Sequence, residues 1–147
     1  MFIARIHYAR ALAALLIGAH AVAYAAPAAE TVTFAVWGGL PAELAALDNV
    51  IAAFKQATGI TVKKEVIADK YMDVLKTRFA ARNTPDVFYL DSHEAPLLIQ
   101  SGVLEPMDAY VDNQQDFYPQ FINALRGTDG KVYGIPKDYS TDRKSVV

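Results

Sequence analysis

Thr84-Pro85-Asp86-Val87-Phe88-Tyr89-Leu90-Asp91-Ser92 packs a helix end, a strand and a sharp turn into one short stretch. Pro85 biases the residue before it away from helix, so the helical pattern upstream is expected to end near Asn83. Val87 to Leu90 is a continuous apolar run bounded by polar residues, which suits a parallel strand buried on both faces. Asp91 and Ser92 are residue types that cap helices, and Glu94 follows Asp91 by three positions as in a capping box. An apolar helical run then starts at Ala95. The stretch therefore reads as strand, turn, helix. Ligands of open α/β sheets bind beyond the carboxyl ends of the strands, so Asp91 and Ser92 become ligand candidates, with helix capping as the alternative role.

Upstream, the same alternation of element types repeats. Thr31 to Trp37 has Val32, Phe34 and Val36 on one face and Thr31, Thr33 and Ala35 on the other, which predicts a strand. Trp37-Gly38-Gly39-Leu40-Pro41 breaks it, and Leu44, Leu47, Ile51 and Phe54 then recur at helical spacing up to a glycine stop at Gly59. Ile60 to Ile67 is rich in β-branched residues and has one polar face, predicting a strand near a sheet edge. A helix is expected over about Lys70 to Arg82. The order β-α-β-α-β-α has crossovers long enough for parallel strands.

Downstream the signals weaken. The third helix is expected to stop at Ser101-Gly102, and Asp108 to Val111 reads as one helical turn. Phe117, Phe121, Ile122 and Leu125 predict a helix up to Gly127. Asp129-Gly130 marks a turn before a strand over Val132 to Ile135. Gly134 and Pro136 make that last segment a better chain crossing or hinge than an interior strand.

The two ends of the chain stand apart from this pattern. Arg5 and Arg10, the apolar run Ala11 to Ala19 and Ala23-Tyr24-Ala25 have the form of a signal peptide cut after Ala25. The run is shorter than the roughly 20 residues a membrane-spanning helix needs. The expected product is exported to the periplasm and does not itself span the membrane. Asp142-Arg143-Lys144-Ser145-Val146-Val147 matches the in-frame translation of a common sequencing adapter and is expected to be a non-native tail.

Composition excludes several classes of function. The chain carries 14 Lys and Arg against 16 Asp and Glu, and the leader removes two of the cations. With no basic stripe, nucleic acid is not an expected partner. There is no cysteine, and of the three histidines only His93 lies beyond the leader. A His-rich metal site or a Ser-His-Asp triad would have to be built from that one histidine. Trp37-Gly38-Gly39 lacks both phosphate-loop patterns, and no cofactor is expected. Trp37, the sole tryptophan, either offers a flat ring to a ligand or fills the core. Tyr139, beside Asp138, offers a ring and a hydroxyl near the crossing segment.

Five segments in order carry a family likeness: Phe34-Ala35-Val36-Trp37-Gly38-Gly39, then Phe54 to Val62, Thr84-Pro85-Asp86-Val87-Phe88, Gln100 to Pro106, and Gly130 to Pro136. Over residues 31–141 the chain resembles the extracellular solute-binding proteins, family 1, that serve ABC importers of sugars. The resemblance implies a type II periplasmic binding protein-like α/β fold, an open sheet flanked by helices. Residues 26–141 would form only the N-terminal part of lobe 1. It further implies a sugar ligand, no bond chemistry and delivery to membrane permease subunits. Trp37 and Gly38 match the loop after the first strand, Asp91 and Ser92 the loop after the third, and Asp138 and Tyr139 the crossing segment. Family members are far longer, so the chain alone is expected to bind sugar very weakly or not at all. Polyamine binding on the same fold is one alternative, with Asp91 and Glu94 as starting carboxylates. An exported hydrolase using those two residues is another.

Overall fold

The computed structural model describes residues 30–138, so the expected signal peptide, Tyr139 and the expected non-native tail lie outside the described residues. Its centre is a parallel sheet in the order β2-β1-β3, formed by β1 (Thr31–Trp37), β2 (Thr61–Ile67) and β3 (Val87–Phe88). The alternation of β1 divides the core in two. Phe34 and Val36 pack with Tyr89 against Leu44, Leu47 and Ile51 of α1 (Pro41–Thr58). Ala35 faces the opposite side, with Leu75 of α2 (Tyr71–Ala80), Phe88, Leu90 and Leu98 of α3 (Ala95–Gln100). Helices thus flank both sheet faces.

Local chemistry sets the boundaries. Pro41 occupies the first turn of α1, where its missing N-H costs nothing. Gly59, at φ 75°, closes the helix by donating its N-H to the Lys55 carbonyl at 2.8 Å. At the end of α2 the same left-handed position is taken by Arg82, at φ 54°. There the Asn83 and Arg82 amides reach back to the carbonyls of Arg78 and Phe79, the paired bonds of a Schellman motif. The helix is correspondingly shorter than the expected Lys70 to Arg82.

Asp86 fixes where β3 begins. Its carboxylate accepts bonds from the Thr33 N-H at 2.7 Å and the Thr33 hydroxyl at 2.6 Å. The Asp86 N-H returns a bond to the same hydroxyl oxygen at 2.9 Å. The ladder then pairs only Phe34 with Val87 and Ala35 with Phe88, so β3 is shorter than the expected Val87 to Leu90. Beyond it, the Tyr89 N-H is shared by the Ala35 carbonyl at 3.1 Å and the Tyr71 hydroxyl at 3.0 Å.

Three expectations need correction. No capping box forms: α3 starts with Glu94 as its N-cap and no side-chain cap bond, because the Glu94 carboxylate is drawn to Lys76 at 3.1 Å. The helix expected from Phe117 to Gly127 contracts to α4 (Pro119–Asn123), preceded by a 3-10 turn at Gln114–Asp116. Val132 to Ile135 is no strand of the sheet. Val132 makes one antiparallel bridge to Arg126, and its N-H is taken by the Asp108 carboxylate at 3.0 Å.

The α1 side of the sheet is thinly covered. Among the described residues α1 has none that is buried, and Val50 is 64% exposed. Beneath it runs an apolar groove of about 520 Å³, lined by Val32, Phe34, Ile51, Phe54, Val62 and Val87 among others.

Candidate functional site

The carboxyl ends of the strands bring together three aromatic rings. Trp37 ends β1 beside Ile67 of β2, half-buried. Its ring meets Tyr71 edge-on at 5.5 Å between centroids and lies tilted on Tyr89 at 5.2 Å. Tyr89 also stands edge-on to Phe34 at 5.1 Å. Such edge-to-face pairs fix ring orientation beyond what apolar burial alone provides.

Tyr71 is the strut beneath them. Its hydroxyl donates to the Ala35 carbonyl at 2.9 Å while accepting from the Tyr89 N-H. Burial pushes the Tyr71 hydroxyl far above the usual phenol range, an effect the Tyr89 amide bond only partly offsets. Tyr71 is therefore a neutral, two-way hydrogen-bonding group throughout the working pH range.

Between Trp37 and the start of α1 lies a hollow of about 230 Å³, lined by Trp37, Gly39, Glu43, Leu44, Tyr89 and Lys137 with neighbouring apolar side chains of α1. Lys137 comes from the far end of the described chain. Its ammonium lies 5.0 Å from the centroid of the Tyr89 ring, 3.3 Å from Glu43 and 2.9 Å from Asp138. Partial burial pulls the Lys137 pKa down, but the Asp138 bond, Tyr89 and Glu43 outweigh it, and the net direction is upward. Tyr89 is likewise raised, first by burial, with Lys137 acting against the shift and Glu43 and Asp138 with it.

The residues anticipated from sequence are distributed around this hollow unevenly. Trp37 forms its wall, and Asp138 borders it through Lys137. Gly38 sits beside Trp37, and its N-H is spent on the Ile67 carbonyl at 3.2 Å, so that amide is not open to a ligand. Its lack of a side chain matters instead, because a Cβ would lie 3.3 Å from the Ala68 backbone. Asp91 and Ser92 are exposed at the turn after β3 and do not line the hollow. Among the described residues, neither side chain carries a hydrogen bond or ion pair. Tyr139 lies outside the described residues. Glu94, the second carboxylate of the hydrolase alternative, is engaged by Lys76. Glu43, Tyr89 and Lys137 were not anticipated. Tyr89 read only as strand, and no local pattern links Glu43 to a lysine 94 positions away. Among the described residues, no group of three His, Cys, Asp or Glu could hold a metal ion. No helix there is long and apolar enough to cross a membrane.

Known proteins place this geometry. Residues 49–142 match the model of a family described as bacterial extracellular solute-binding protein. Among solved structures, the chain is similar to the sugar-binding protein MalE of Xanthomonas citri, at 29% identity and a TM-score of 0.64 over 72% of this chain and 28% of that one. It is also similar to an ABC transporter solute-binding protein of Thermotoga lettingae bound with α-D-tagatose, at 26% identity and a TM-score of 0.66 over 74% of this chain and 29% of that one. A third match is the substrate-binding protein Lmo0181 of Listeria monocytogenes in complex with cycloalternan, at 25% identity and a TM-score of 0.60 over 71% and 28%. The chain spans less than a third of the length of these structures. The parallel sheet between helices is the fold of type II periplasmic binding proteins, and this chain belongs to the bacterial extracellular solute-binding protein family.

Proposed function

We propose that residues 26–141 are the N-terminal part of lobe 1 of a periplasmic sugar-binding protein, with residues 1–25 its cleaved signal peptide and 142–147 a non-native tail. The observation that carries this is the half-buried Trp37 ring, held edge-on by Tyr71 and tilted on Tyr89, at the wall of a hollow beyond the strand ends. A fixed aromatic face suits the apolar face of a sugar ring, and polar groups around it suit the hydroxyls. In this reading Asp138 and Tyr139 border the ligand from the crossing segment. Asp91 and Ser92, exposed after β3 and outside the hollow itself, would meet only a ligand that extends beyond it. The uncovered side of α1 supports a longer native chain that packs there. A sugar touching both lobes would select the closed form, which docks on the membrane permease, and no bond is made or broken.

The polyamine alternative is weaker on one observation. Lys137 already occupies the place between Glu43, Asp138 and Tyr89 that a ligand ammonium would take.

Reading the source DNA past the codon for Thr141 tests the proposal. An open frame encoding a second lobe supports it, whereas a genuine stop after Val147 contradicts it. In the longer product, Trp37→Ala and Asp91→Ala are each expected to weaken sugar binding, and unchanged affinity for both would remove these residues from the site.

A further inference from the structure

The ammonium of Lys137 sits in a niche with three walls: the Tyr89 ring at 5.0 Å, the Glu43 carboxylate at 3.3 Å and the Asp138 carboxylate at 2.9 Å. An aromatic face beside carboxylates is the ordinary chemistry for holding an alkylammonium. Here the chain supplies the cation itself. The niche opens on the same hollow that Trp37 lines, so whatever fills it decides what a solute in that hollow meets.

We propose that Lys137 is a specificity-determining residue that occupies a built-in alkylammonium niche and thereby turns the hollow away from amines and toward uncharged solutes. This rests on the sugar reading for its biological meaning, but the niche itself is defined by Tyr89, Glu43 and Asp138 alone. A primary amine approaching the native site meets a resident positive charge and finds both carboxylates engaged. Truncating the lysine leaves two carboxylates and a ring face without their cation. The cavity so made has the shape of the lost propylammonium, because alanine keeps only the first carbon of the lysine stem.

The test is chemical complementation read at the ring. The Tyr89 ring resonances of the 147-residue chain and of Lys137→Ala are followed by NMR as n-propylammonium is added, with n-propanol as the uncharged control. The expected result is a saturable shift in Lys137→Ala, with half-saturation at least tenfold lower than in the unaltered chain and no shift with n-propanol. Adding Glu43→Gln to that variant is expected to raise half-saturation severalfold. Equal responses in the two chains, or none in a well-dispersed Lys137→Ala spectrum, would overturn the proposal. Lys137→Ser carries the same test if the alanine variant loses its dispersion. Maltotriose, titrated against the Trp37 indole N-H of a longer product that carries both lobes, distinguishes the two ideas, because the 147-residue chain alone is expected to bind sugar very weakly or not at all. A gain of amine response without any sugar response supports the niche and counts against the sugar. A sugar response without the amine gain does the reverse.

Discussion

Replacing Asp86 with alanine removes the two bonds its carboxylate accepts from Thr33, at 2.7 and 2.6 Å, and leaves the half-buried Thr33 N-H without its partner. The bond from the Asp86 N-H to the Thr33 hydroxyl survives, because it uses backbone. Bonds to a charged group contribute about 1.5–3 kcal/mol each, but these two share one oxygen and the site is partly open to water. A loss of about 2–3 kcal/mol is therefore expected, less than the sum of the two, since coupled bonds are not additive. Asp86→Asn keeps an acceptor oxygen and is expected to lose about 1 kcal/mol. Urea unfolding followed by the fluorescence of Trp37, the sole tryptophan, reads both. With a urea slope of about 1 kcal/mol/M for a chain of this size, the alanine midpoint falls by about 2 M. A midpoint that moves by less than a quarter of that would refute the idea that Asp86 pins β3 to β1.

Tyr71→Phe is expected to cost only about 0.5–1.5 kcal/mol, because the Tyr89 N-H and Ala35 carbonyl keep each other as partners; a loss above about 3 kcal/mol in the same assay would mean the strut does more than bridge them. Arg82→Gly relieves a left-handed backbone position and is expected to raise stability by up to about 1 kcal/mol, with a fall counting against the Schellman assignment. Glu65 is held below the ordinary carboxylate value chiefly by its bond to Arg78, partly offset by burial and aided by Lys63. Its folded pKa is depressed, so its contribution is full above the ordinary value of 4.5 and fades as pH falls through the lowered one. Arg78→Gln is accordingly expected to lower stability at neutral pH and flatten the acid decline below pH 4.5, which midpoints measured across pH would reveal.

The first half of the fold was legible because its signals are local. Alternation in β1, the helical stripe of α1 and the Gly59 stop each lie within a few residues of what they specify. The misses share a different cause, which is competition from distant partners. Asp91-Ser92 has a capping pattern, but Lys76 draws Glu94 away from it. Val132 has strand character, but Asp108 takes its amide. The candidate site divides in the same way. Trp37 was visible as the last residue of an alternating strand beside two glycines. The Glu43, Tyr89 and Lys137 cluster exists only once the crossing segment folds back on α1, and no spacing rule reaches that far.

The most direct test of the sugar-binding account is a calorimetric titration of the longer, two-lobed protein proposed above against neutral oligosaccharides and diamines. The account predicts saturable one-to-one binding of at least one neutral sugar, no binding of diamines, and at least a tenfold loss of sugar affinity in Trp37→Ala. Diamine binding in place of sugar, or sugar binding that Trp37→Ala leaves unchanged, would contradict it.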